Sequence, residues 1–160
     1  MYIPFDEIDS DSRVWIYQSD RLFTDQEVEE INTALDKFCD QWAAHGTSLK
    51  SFGKIYHNCF VVMMVDESQE PASGCSIDSS VGVVRAIMKN YKVDLLNRMI
   101  FAYLENDKVE LVNRLDFVNM IKEGKITDDT IVFNNLVKDK AEFETKWEVR
   151  LADSWHKQLA

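Results

Sequence analysis

Apolar and polar positions change rhythm several times along this chain. RVWIYQ at 13–18 is dense in β-branched and aromatic residues, which predicts a first strand. After it the period becomes helical. Val28, Ile31, Leu35, Phe38 and Trp42 recur at spacings of three and four and draw one apolar stripe. Thr24 and Glu27 are placed as the two halves of a capping box, and Phe23 can staple onto Val28, so the helix start is well specified. Gly46, after His45, predicts the helix stop through a left-handed residue. SFGKIYH at 51–57 alternates imperfectly and predicts an exposed strand, with Asn58 as a turn residue. CFVVMMV at 59–65 has no polar face, as in a central strand covered on both sides.

A second helix is predicted from about 77 to 91, with Ile77, Val81, Val84, Met88 and Tyr91 as its stripe. MIFAYL at 99–104 and KVELV at 108–112, joined by END, predict a hairpin. A short helix around 116–122 stops at Gly124, TIVF at 130–133 is a brief strand, and AEFETKW at 141–147 is a last helix. Helices interleaved with hairpins predict an α+β fold: helices on a mostly antiparallel sheet of five to six strands. The first six elements have the split β-α-β order of ferredoxin-like folds.

Composition changes this picture little. The 160 residues suffice for one domain, spanning 1–160, and an apolar fraction of 46% with 29% charged residues is that of a globular protein. The longest apolar run is too short to span a bilayer. No basic region followed by a long apolar stretch opens the chain, so the expected location is the cytosol. Charge changes it more. The net charge is −10, and residues 1–40 hold eleven acidic groups against three basic ones. Such a face repels phosphate backbones and anionic lipid, so nucleic acid is not the expected partner. The three cysteines, Cys39, Cys59 and Cys75, are odd in number and widely spaced, which points to free thiols and not to a zinc site.

EPASGCSIDSS at 70–80 carries the densest candidate chemistry. If Ser76 caps the second helix, the amides of Ile77, Asp78 and Ser79 face outward with the positive end of the helix dipole. Ser73, Gly74, Ser76 and Ser79 would then floor a site for a small polar or anionic ligand, and Cys75 with Asp78 would be the catalytic candidates. Against this, serine and aspartate are simply the preferred residues at helix starts, and Asp78 would oppose both an anion and a thiolate. Asp66 and Glu67, where the apolar strand emerges, could join Asp78 as an oxygen site for Mg²⁺ in a hydrolase. A third reading has no chemistry: an interaction module that presents Glu29, Glu30 and Asp36 to a basic partner. No cofactor is called for. Downstream, Asn134 and Asn135 could read a ligand's amide or carboxylate and Trp147 and Trp155 could wall a pocket, although paired Asn residues also make turns and tryptophans lock tails. His45, His57 and His156 supply bases that nothing in the sequence pairs with Cys75.

MYIPFDEI, SRVWIYQSDR, QWAAHG, ASGCSIDSSV, TIVFNNLV and the closing WEV…SWH together resemble a family of short bacterial proteins labelled "ABC transporter ATPase". The resemblance covers nearly the whole chain and brings no catalytic residue with it. The label fails a physical test. ATP hydrolysis by such a cassette needs a phosphate-cradling GxxxxGK[ST] loop, and none of the five glycines begins one.

Overall fold

In the computed structural model, which describes all 160 residues, β1 (Arg13–Gln18) leads into α1 (Asp25–Gln41). There follow a short pair, β2 (Ala43–Ala44) and β3 (Thr47–Ser48), then β4 (Lys50–Tyr56), β5 (Phe60–Asp66) and α2 (Gly74–Tyr91). The second half comprises β6 (Ile100–Glu105), β7 (Lys108–Asn113), α3 (Arg114–Lys122), β8 (Ile131–Phe133), α4 (Lys140–Lys146) and β9 (Glu148–Arg150). Short 3₁₀ turns complete the chain. The fold is α+β with antiparallel sheets, but the strands divide between sheets. One has the order β1-β5-β4 and another β7-β6-β8-β9, while β2 and β3 pair only with each other.

Alternation along the strands explains the layering. Val61, Met63 and Val65 of β5 pack with Ile31 and Leu35 of α1 and Val84 and Ile87 of α2. Phe60, Val62 and Met64 point the other way, against Ala102, Val109 and Phe133 of the second sheet and Phe143 and Trp147. Phe101 and Tyr103 of β6 then face Phe117 of α3, Ile126 and Leu151. The result is four layers: helices, sheet, sheet, helix and tail. β5 is buried on both faces even though its neighbours are antiparallel, because each sheet here has a layer on either side.

β1 and β4 are both antiparallel to β5, so they run parallel with β5 inserted between them. That is the split β-α-β arrangement, and it holds through α2. The sixth element departs. A ferredoxin-like fold would lay β6 along the free edge of β1, whereas here β6 pairs with β7 and β8. The first half of that edge is taken by residues 138–140: the Val14 amide donates to the Lys138 carbonyl at 2.9 Å and the Lys140 amide to the Ser12 carbonyl at 2.9 Å. Lys140 fixes the segment further, its buried ammonium donating to the carbonyls of Phe5 (2.6 Å) and Ile8 (2.9 Å).

Several boundaries differ from the sequence expectation for identifiable reasons. α1 starts at its capping box, with Thr24 and Glu27 bonded reciprocally, but ends at Gln41. Trp42 turns extended, and its indole donates to the Ser76 carbonyl at 2.8 Å. His45 and Gly46, both at positive φ, form the tight turn between β2 and β3 and do not stop the helix. β4, expected to be exposed, is largely buried, with α1 across one face and Phe5 against Phe52 on the other. A turn at His57 and Asn58 makes β4 and β5 a hairpin. α2 begins three residues early, capped by Ser73 and not by Ser76. Its buried face runs through Ser76, Ser80, Val84 and Ile87, while Ile77, Val81 and Met88 are half-buried flanks. The two serines tolerate burial because their hydroxyls donate back to the carbonyls of Ser73 (2.8 Å) and Ile77 (2.6 Å).

Candidate functional site

The departure of β6 leaves a gap beside the second half of β1, and a cavity of about 550 Å³ occupies it. Its walls are Ile16 to Gln18 of β1, the connection Leu95–Arg98, the start of β6, Phe133, Asn135 and Leu136, and the tail pair Trp155 and His156. The lining is mostly apolar and contains no carboxylate. No helix of the fold is long and apolar enough to cross a membrane.

Ladder parity shows what β1 offers to this space. The Val14 amide bonds outward to Lys138, and the Ser19 amide bonds inward to Cys59, so odd positions face β5 and even positions face the free edge. Ile16 and Gln18 therefore direct their N–H and C=O groups away from β5, and neither finds a backbone partner on that side. The Gln18 side chain closes one end of the gap. Its amide nitrogen donates to the Ile100 carbonyl at 2.8 Å, and its oxygen accepts from Asn135 at 3.0 Å. Asn135 is fixed in turn, accepting from the Trp147 indole at 2.9 Å.

His156 is the most unusual lining residue. It is only 2% exposed, and its Nδ1 lies 2.7 Å from the Ser154 hydroxyl. Nε2 makes no hydrogen bond within the chain but is not sealed from solvent. Trp155 stacks on the imidazole at 3.9 Å between centroids, Phe101 and Phe117 pack around it, and burial pulls its pKa down to about 4. The ring is therefore neutral at pH 7. The Trp155 indole N–H, unlike Nε2, is buried without a partner. Arg98, by contrast, is exposed, enters no ion pair, and is the one charged group of the lining.

The residues singled out from sequence distribute unevenly around this site. Asn135 and Trp155 line the cavity, and Trp147 stands behind Asn135 in the core. Asn134 makes a turn, its side chain accepting from the Leu136 amide at 3.1 Å. Ser73, Gly74, Cys75, Ser76, Asp78 and Ser79 lie at the start of α2 and line neither this cavity nor a smaller one near Asp36. Their hydroxyls are engaged locally, while Asp78 is exposed: Ser73 caps the helix, Ser76 is buried, and the Ser79 hydroxyl donates to the Cys75 carbonyl at 3.0 Å. Cys75 is exposed and Gly74 has open space around it.

The Mg²⁺ arrangement does not form. Asp66 accepts from the Ser68 amide and Glu67 from the Ala72 amide, so both carboxylates fold their own loop, and no group of three His, Cys, Asp or Glu residues is placed to hold a metal ion. Glu29, Glu30 and Asp36 are exposed on α1. His45 sits in the β2–β3 turn, and His57 pairs with Glu148. Gln18 and Arg98 escape sequence reasoning, and His156, named there as a candidate base, is not linked to them. The three come from distant segments, and no periodicity links the end of a strand, a loop and a tail.

No protein-family model, curated protein or solved structure matches this chain.

Proposed function

We propose that the chain is a binding protein whose site is the cavity between the two sheets, and that its ligand inserts a predominantly apolar group there. The observation that carries this reading is Trp155, which lines the mostly apolar cavity and whose indole N–H is buried without a hydrogen-bond partner. Buried polar atoms are ordinarily satisfied, and leaving one unpaired costs about 1–3 kcal/mol, so a ligand atom that accepts from the Trp155 indole gains what the chain forgoes. The volume lies within the range of about 300–1,000 Å³ common to small-ligand sites. Binding is favoured over catalysis. The lining offers no carboxylate, cysteine or serine, and the Gln18 and Asn135 side chains are engaged with the fold.

Titration with the neutral fluorophore N-phenyl-1-naphthylamine tests this. It should bind saturably at one site per chain, with energy transfer from Trp155. Ala102→Phe, which fills the cavity from β6, should weaken binding at least tenfold, and Leu136→Trp, which fills it from the rim without touching the core, should do so if the first variant does not fold. Absence of saturable binding, or binding indifferent to both fillings, would defeat the proposal.

A further inference from the structure

We infer that the occupant of this cavity is the carboxyl-terminal end of an extended peptide, seated as a short added strand on the free half of β1. The inference rests on the binding role proposed for the same cavity and names its ligand class. It starts from the backbone. Ile16 and Gln18 present N–H and C=O groups along the cavity wall with no partner from the chain. Two alternate residues of a strand edge are the complement of a segment about three residues long, and an extended peptide satisfies both donors and acceptors where a simple apolar molecule satisfies neither.

The same wall explains why the place is open. Residues 138–140 already lie antiparallel to the first half of β1, and continuing that register would set Leu136 opposite Ile16. The Leu136 amide bonds instead to the Asn134 side chain at 3.1 Å, so the chain swings away before it can complete the ladder. An incoming segment continues along the edge that this loop leaves.

The ends of the groove set polarity and side-chain preference. Gln18 bridges to Ile100 and Asn135 and blocks one end. Arg98 stands in the lining free of any carboxylate, although the chain is acidic overall and Asp94 is nearby in sequence, where it accepts from the Leu96 amide at 2.9 Å. An unpaired guanidinium at this place fits a terminal carboxylate, which it can bond through two parallel N–H donors. The interior is apolar around Phe101, Ala102 and Phe133, with Leu96 (44% exposed) and Leu136 (67% exposed) at the mouth. The terminal side chain should therefore be large and apolar.

The test compares acetyl-Ala-Val-Phe bearing a free carboxylate with its carboxamide, by calorimetry on the full chain. The acid should bind saturably and at least tenfold more tightly than the amide, and Arg98→Gln, a change at an exposed side chain without partners, should erase that difference. Methylating the backbone nitrogens of the last two residues should weaken binding at least tenfold. Equal binding of acid and amide overturns the terminal-carboxylate assignment, and undiminished binding of the methylated peptide overturns strand addition. If neither peptide binds while N-phenyl-1-naphthylamine does, the peptide inference falls and the binding role stands. If nothing binds, both fall.

Discussion

Two buried nitrogen groups show how single residues solve the same problem in opposite ways. Lys140 satisfies its ammonium with two backbone carbonyls and the Phe5 ring, 4.5 Å from the charge. His156 has no such cage, and burial depresses its pKa from 6.5 to about 4. The sign of the consequence follows from linkage. Between these values the unfolded chain takes up a proton that the folded chain refuses, so stability is full above pH 6.5 and falls as pH drops toward 4. At 1.36 kcal/mol per unit, the loss amounts to about 3 kcal/mol at pH 4. Urea midpoints across this range should decline for the natural chain and stay flatter for His156→Gln. Parallel curves would show that His156 is not the group responsible. Above pH 4.5 the capping-box Glu27 does not confuse the reading. Its bond with Arg21, aided by the Thr24 amide, holds it down to about 2, so its contribution is lost only as pH falls below 4.5.

At the scale of elements, what the sequence made legible was whatever depended on neighbours along the chain. The capping box at Thr24, the apolar run at 60–65 and the β6–β7 hairpin all answer to local rules. Burial by remote segments did not show. Ser76 and Ser80 read as polar until their hydroxyls are seen bonded to their own helix, and the tail strand β9 is too short to carry a pattern. The cavity was invisible because its walls come from four separate segments between residues 16 and 156, of which only Asn135, Trp155 and His156 drew notice. Gly53 is another such case. A Cβ there would stand 3.4 Å from the Leu35 Cβ and 3.5 Å from the Cys39 sulfur, so its small size sets how closely α1 approaches β4. Gly53→Ala should fold with little loss, since these are ordinary contacts. Gly53→Val should overpack the layer and cost about 1–3 kcal/mol in urea unfolding. A valine variant as stable as the alanine one would mean that the helix shifts freely.

The molecule as a whole stacks four layers around two sheets, and its three free cysteines sample that stack. Cys75 is exposed at the start of α2, whereas Cys39 and Cys59 are fully buried. Burial raises the Cys39 thiol to about 11 and the Cys59 thiol to about 12, so both are poor nucleophiles even before access is considered. One thiol per native chain should react with an aromatic disulfide reagent at pH 8, and three in denaturant. The slow phase is the more informative. Cys39 lies on α1 against Gly53, and Cys59 belongs to the core between the sheets. If every layer depends on its neighbour, both become reactive only through global unfolding, and their labelling rates in low denaturant should coincide and follow the same denaturant slope. Since β5 contributes one face to the helical core and the other to the core between the sheets, neither core survives its loss. Mass-resolved labelling would separate the alternatives: markedly faster reaction at Cys39 would mean that α1 detaches while the paired sheets remain, and that the stack is not one cooperative unit.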